Sequence, residues 1–261
     1  MCDIQRVRNV MNITLLGHHD IASLYALDRV IGLLPEHDFS ILLSGEIQTE
    51  FAVDRQLAKL AKADSELCRR FLCGEIRGPV ASQLTAPPPA ALSNPNSPRG
   101  RQELIDLQPD LIISIRYRRI LHDAAIAIPR HGVINLHSGI LPDYRGVMAT
   151  FWAMLAGEKE IGTTLHWIVD SGIDTGPIIE IRRRVMRPEC SYLVNVLGLY
   201  ADGCEMIAQA VRAIAAGRKP AVERQKAKGT YFRAPASDDV RRFEGHGLTL
   251  FDGEEEAEIR V

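Results

Sequence analysis

Short apolar runs that end in glycine or a polar turn, each followed by a stretch with helical spacing, constrain this chain more than any other feature. Asn12-Ile13-Thr14-Leu15-Leu16-Gly17 has the length and content of a buried strand closed by a glycine turn. From about Asp20 to Leu34 the residues Ile21, Leu24, Leu27, Val30, Ile31 and Leu34 recur at helical spacing, and Pro35 stops the pattern. Phe39 to Leu43 repeats the strand pattern, and about Glu50 to Leu72 repeats the helical one. Such alternation builds a parallel sheet with helices on both faces, because each crossover helix must bury its apolar stripe against the strands it joins.

Farther on, Gly78 to Gly100 weakens into a proline-rich excursion with room for one short strand near Gln83 to Ala86. The alternation then resumes. Arg101 to Leu107 is expected as a helix, Asp110 to Ile115 as a strand, Ile120 to Ile126 as a helix and Val133 to His137 as a strand. Val147 to Ala156 is expected as a helix. Thr163 to Val169 and Pro177 to Val185 are expected as a hairpin pair, and Ser191 to Ala216 as a long helix with Ser191 as its cap. From Lys219 on there is little periodicity, and the run Glu254-Glu255-Glu256 is expected to be solvated or frayed. The expected division is a domain over 1–217 and a short irregular C-terminal extension over 218–261.

With 31 basic and 33 acidic residues, the chain lacks the basic excess of a nucleic-acid binder. The one tight basic run, Arg182 to Arg184, suits a solvated strand edge. Five cysteines without Cys-x-x-Cys spacing suggest incidental thiols in a reducing compartment. No apolar run is long enough for a membrane span. The opening residues lack the pattern of a secretory signal, so a cytoplasmic location is expected. No nucleic-acid or membrane partner is expected.

The chemistry concentrates in two places. Asn135 and His137 lie two apart on an expected strand, so both side chains point to one face while Leu136 points to the other. Polar groups at the carboxyl end of a parallel strand lie where open α/β sheets bind ligands. The second place is Asp170-Ser171-Gly172-Ile173-Asp174-Thr175-Gly176-Pro177, a shaped loop carrying two carboxylates. Taken alone, the pair fits an ordinary hydrogen-bonded strand end, and the loop fits an ordinary turn. Together they offer an amide, an imidazole and a carboxylate, which suit acyl transfer to a nucleophile outside the protein. The first two can hold a tetrahedral oxyanion, and the carboxylate can raise the imidazole pKa and take up a proton.

The run from Asn135 to Gly146, Asn-Leu-His-Ser-Gly-Ile-Leu-Pro-Asp-Tyr-Arg-Gly, resembles the signature of the formyltransferases that use 10-formyltetrahydrofolate, and Asp174-Thr175-Gly176-Pro177-Ile178-Ile179 resembles their aspartate loop. The resemblance covers about Asp110 to Ala216. It implies a Rossmann-like formyltransferase fold, 10-formyltetrahydrofolate as donor, and Asn135, His137 and Asp174 as the catalytic trio. It further implies a pterin pocket lined by Arg119, Ile120 and Leu121, largely through backbone groups, and a folate loop that begins at Asp170. Arg119 equally suits a surface helix position. After the first strand, Gly17-His18-His19-Asp20 replaces the family's glycine-rich phosphate cradle, so a glycinamide ribonucleotide acceptor is not expected. His18, His19 and Asp20 are candidate substrate contacts, with Asp20 at a helix N-terminus as the structural alternative. The initiator-tRNA enzymes carry a further domain of about a hundred residues, for which the tail is too short. The expected acceptor is thus a small-molecule amine or hydroxylamine, N5-hydroxyornithine of siderophore biosynthesis first and an amino-sugar nucleotide second. A non-catalytic folate-binding module and a zinc site on His137, His166 and Asp174 are the rivals. No metal is expected, because the sequence lacks a recognisable ligand cluster.

Overall fold

A computed structural model describes residues 10–44, 54–76, 90–92, 94–226 and 229–257. Cys2, the start of the expected helix from Glu50, and the expected strand near Gln83 to Ala86 lie outside the described residues.

The alternation becomes a sheet of β1 (Asn12–His18), β2 (Asp38–Ser44), β3 (Ala90–Ala91), β4 (Leu111–Ile115), β5 (Val133–His137), β7 (Glu160–Ile168) and β8 (Ile178–Val185). Their spatial order is β3-β2-β1-β4-β5-β7-β8. All neighbours run parallel from β3 to β5, and β7 and β8 are antiparallel additions, as expected for the hairpin pair. The order reverses between β1 and β4, so their carboxyl ends open a crevice of the kind where such sheets bind ligands. A separate small ribbon pairs β6 (Tyr144–Gly146) with β9 (Thr230–Phe232), in parallel.

Strand periodicity sorts the core into two faces. Ile13, Leu15, Ile113, Ile134 and Leu136 point to one cluster, under α1 (Ile21–Leu33) and the long helix α6 (Tyr192–Ala215). Leu16, Ile112 and Val133 point to a smaller cluster with Leu104 of α3 (Pro98–Asp106) and Ala125 of α4 (Asp123–Ile126). The remaining helices are α2 (Arg55–Leu72), α5 (Ala149–Leu155) and α7 (Ser237–Gly245). Asn135 and His137 continue the face of Val133, beyond the reach of the small cluster. Leu136 faces α6, where it packs so closely on Gly203 that a Cβ there would sit 2.7 Å from Leu136 Cδ2.

Two expectations shift. The helix expected from Ile120 begins only at Asp123, because Asn96 spans the intervening backbone: its Nδ2 donates to the Ile120 carbonyl at 2.8 Å and its Oδ1 accepts from His122 N at 2.8 Å. The residues after 217 contain β9, α7 and a 3-10 turn, Gly253–Ala257, rather than irregular chain throughout. Val240, Phe243, Leu248 and Leu250 join the same apolar cluster as α1 and α6, and Glu255 accepts from Ser191 N at 2.9 Å instead of standing free. Arg182 to Arg184 lie on edge strand β8 and pair with Glu180, Glu160 and Asp202. Among the described residues no helix is long and apolar enough to cross a membrane.

Candidate active site

β5 ends in a turn that only certain residues allow. The Thr163 hydroxyl donates to the His137 carbonyl at 2.8 Å, and the Thr164 hydroxyl donates to the Gly139 carbonyl at 2.7 Å, so β7 latches the chain as it leaves β5. A Cβ on Gly139 would lie 2.6 Å from His137 Nε2 and 2.7 Å from the Tyr144 carbonyl oxygen. Glycine therefore lets the turn pass directly over the imidazole.

His137 is buried, and its Nε2 lies 2.6 Å from the Tyr144 carbonyl oxygen. A carbonyl only accepts, so Nε2 carries the proton and Nδ1 faces Asp174 Oδ2 at 3.6 Å. Antiparallel register sets His166 of β7 directly across from Asn135, and opposed residues share a face. Asn135 Nδ2 lies 3.1 Å from His166 Nε2, while His166 Nδ1 donates to the Trp167 carbonyl at 3.0 Å. His166 Nε2 also lies 3.5 Å from Asp174 Oδ1. Neutral His166 accepts from Asn135, and protonated His166 donates to Asp174. One hydrogen of the Asn135 amide serves His166 and the other can serve a ligand oxygen.

Asp174 completes the cluster from the loop between β7 and β8. Its backbone φ is +54°, a left-handed conformation that costs a non-glycine residue roughly 1–2 kcal/mol. The carboxylate is 11% exposed and accepts from Gly146 N at 2.8 Å. Burial alone would raise its pKa. The charges of His137 and His166, the His166 hydrogen bond and the Gly146 N–H overcome this and hold it well below the usual carboxylate range. A carboxylate held that low is a weak base but a strong partner for an imidazolium.

The sequence singled out Asn135, His137 and Asp174, and these three converge. It weighed His166 only as a zinc ligand, although His166 orients Asn135. His137, His166 and Asp174 do meet, yet among the described residues no group of three or more such side chains has the arrangement to hold a metal ion.

The other candidates stand apart from this cluster. Arg119 is exposed, Ile120 is 47% exposed, and the Leu121 side chain is buried in the small cluster, which leaves only its backbone for a ligand. Asp170 is exposed, and its Oδ1 accepts from Gly172 N at 2.7 Å. His18 Nδ1 pairs with Ser44 Oγ at 2.8 Å, and burial, followed by the Arg118 charge, lowers its pKa to about 4. His19 is exposed. Asp20 is buried as the N-cap of α1, accepting from Ser23 N at 2.7 Å and from Arg116 Nε at 3.0 and 2.9 Å.

Residues 80–188 match the family described as formyl transferase. Over 138 residues the chain is 34% identical to the methionyl-tRNA formyltransferase of Methylacidiphilum infernorum, which covers 53% of this chain and 43% of that protein. The chain thus spans under half the length of that curated relative. Among solved structures, the N-formyltransferase of Helicobacter canadensis, in complex with folinic acid and dTDP-3-aminofucose, aligns with a TM-score of 0.54 at 18% identity over 85% of this chain and 71% of that one. The formyltransferase PseJ of Anoxybacillus kamchatkensis, in complex with UDP-4,6-dideoxy-4-formamido-L-AltNAc and tetrahydrofolate, aligns with a TM-score of 0.51 at 20% identity over 92% of each chain. At these identities the likeness establishes the shared fold.

Proposed function

We propose that the protein is a formyltransferase, moving a formyl group from 10-formyltetrahydrofolate to the amine or hydroxylamine of a small molecule. One observation carries this: an amide, an imidazole and a carboxylate meet at the carboxyl end of β5. The match of residues 80–188 to the formyl transferase family supports it.

In this reading the acceptor nitrogen attacks the formyl carbon and the carbonyl oxygen becomes an oxyanion. Asn135 donates its second Nδ2 hydrogen to that oxygen. His137 Nε2–H exchanges the Tyr144 carbonyl for it. Preorganised donors of this kind contribute about 2.7–4 kcal/mol each. Asp174 is too acidic to be a strong base. Its charge faces His137 Nδ1 at 3.6 Å, and it passes the proton of the attacking nitrogen through water. The intermediate collapses by breaking the bond between the formyl carbon and the folate nitrogen, which takes up a proton. Arg119, Ile120 and Leu121, chiefly by backbone groups, and the loop from Asp170 are the proposed folate contacts.

For the acceptor we infer N5-hydroxyornithine, on the resemblance of the stretch from Arg145 to Met154. An amino-sugar nucleotide is the second reading, supported by the sugar-nucleotide complexes among the fold relatives. Incubation with 10-formyltetrahydrofolate and a panel of N5-hydroxyornithine, amino-sugar nucleotides and methionyl-tRNA tests both, with tetrahydrofolate release and product mass as readouts. A formylated product assigns the acceptor. Folate binding without product from any acceptor replaces the enzyme reading with that of a binding module.

A further inference from the structure

We propose that the segment after α6 is a working part of the site, and that Gln225 is a positioning residue that sets where the Asp174 carboxylate points. The consequence for turnover rests on the formyl-transfer reading, and the geometry does not.

Gln225 Nε2 lies 2.9 Å from the Asp174 carbonyl oxygen and 2.8 Å from the Gly176 carbonyl oxygen. Both partners only accept, so the amide nitrogen must face them, with one hydrogen for each. The two carbonyls are that of Asp174 itself, which holds a left-handed φ, and that of Gly176, where the chain leaves the turn toward β8. Such a conformation persists only where surrounding groups over-determine it. Gln225 supplies that hold from outside the loop. It is itself fixed two residues earlier, where Glu223 and Ile178 exchange backbone hydrogen bonds at 2.8 Å in both directions.

A second strap grips the other end of the carboxylate. β9 runs along β6, and Val147 N donates to the Phe232 carbonyl at 2.9 Å. The Phe232 ring stacks on Tyr144 at 5.5 Å and on Trp152 at 5.1 Å, and Trp152 Nε1 donates to the Arg233 carbonyl at 3.1 Å. Gly146 passes so close, at φ +96°, that a Cβ would lie 2.3 Å from the Phe232 oxygen. This pairing aims Gly146 N–H at Asp174 Oδ2. It also fixes Tyr144, whose carbonyl accepts from His137. Asp174 is thus held by its backbone through Gln225 and by its oxygen through Gly146, and His137 and His166 face the same carboxylate.

The test compares Gln225→Ala, Gln225→Glu and, as a control in the same segment, Lys226→Ala, all in the full chain. Gln225→Glu keeps the shape but removes both donors. Carbon-13 NMR of the Asp174 carboxyl, assigned by its loss in Asp174→Asn, reads the position directly. The wild type and Lys226→Ala keep this group ionised to the acid limit of the fold, whereas the Gln225 variants titrate near the ordinary value of about 4. Turnover falls about 100-fold in kcat, with the KM for folate within about twofold of wild type, as expected for a misplaced catalytic group. An unchanged carboxyl titration in a folded Gln225→Ala protein overturns the proposal, as does a rate loss that only follows the loss of folded protein. If Gln225→Ala fails to fold, Gln225→Asn, one methylene shorter, supplies the same reading. If the carboxyl responds but wild type formylates nothing, the formyl-transfer reading falls and the positioning role stands.

Discussion

Two carboxylates lie at the carboxyl edge of the sheet, and different partners keep each of them ionised. Asp20, 4% exposed, accepts from Ser23 N and meets Arg116 at 2.9 Å, with Arg118 farther out at 3.7 Å. Burial pushes its pKa up, and the two guanidinium charges bring it below the ordinary value. The buried hydroxyls of Tyr192 and Tyr200 add to the surroundings of Arg116. Asp174 is similarly enclosed, but its partners are imidazoles and one backbone N–H. A guanidinium does not titrate in proteins, whereas an imidazole does so within the physiological range. The Asp20–Arg116 pair therefore keeps its charges and serves as a rivet between β1, α1 and the end of β4.

The largest effect that tests this contrast is on turnover. Asp174→Asn preserves the turn, because asparagine tolerates a left-handed backbone, and removes the charge that supports His137. Formyl transfer is expected to fall by about 10²–10⁴-fold, and the thermal midpoint near neutral pH falls as well, because the ionised carboxylate that His137, His166 and Gly146 stabilise is gone. An Asp174→Asn enzyme with wild-type turnover would show that the two carboxylates do not differ in kind. The counterpart is Asp20→Ala. It removes the main partner of Arg116, whose side chain is 21% exposed and has Asp64 nearby, and is expected to cost up to about 3 kcal/mol in urea unfolding, with turnover per folded molecule unchanged. A raised KM for the acceptor in this variant would instead return Asp20 to the substrate-contact role considered from sequence.

The contrast was only half legible in the sequence. Asn135 and His137 could be placed on one face because strand period is a local property, and Asp174 could be singled out because glycine and aspartate shape its loop. His166 could not be placed, because its position beside Asn135 depends on the antiparallel register of β5 and β7, and no local pattern encodes that pairing. Gln225 stood as one amide in an aperiodic stretch. Its partners are backbone carbonyls, which leave no trace in residue identity. Asp20 offered a helix cap and a ligand contact alike until Arg116 was seen to occupy both its oxygens. The helix over 237–245 escaped notice because it is short and buries few apolar side chains, Val240 and Phe243 among them.

A smaller effect separates the clusters by pH. Asp64 of α2 accepts from Ile21 N at 3.1 Å beside Asp20, and burial, reinforced by the Asp20 charge, raises its pKa to about 7. Between about pH 4, where an unfolded aspartate titrates, and about 7, the folded state binds a proton that the unfolded state has lost. The stability this contributes is complete below the unfolded value and disappears as pH rises through the folded one. Asp174 has the opposite sign. Its folded pKa is depressed, so its contribution is present above the unfolded value and is lost only as pH falls through a value well below the carboxylate range. Asp64→Asn keeps the acceptor for Ile21 and cannot ionise. Its thermal midpoint is therefore expected to gain on wild type as pH is raised from 5 to 8. A constant difference across that range would mean that Asp64 is ionised throughout.

The smallest effect falls at the boundary between the two regions. Arg118 is 32% exposed and meets Asp20 only at 3.7 Å, behind the tighter pairing of Arg116. A second, partly solvated cation on an already paired carboxylate contributes about 0–1 kcal/mol, so Arg118→Ala is expected to leave unfolding within that margin. Its side chain is nevertheless a partly open cation by the crevice between β1 and β4, where both proposed acceptors would bring an anion, a carboxylate in one case and a diphosphate in the other. If the rivet is purely structural, Arg118→Ala leaves acceptor KM unchanged. A raised KM with kcat preserved would mean that the outer edge of the rivet also receives the acceptor, and that the division between the fixed and the reactive cluster runs between Arg116 and Arg118.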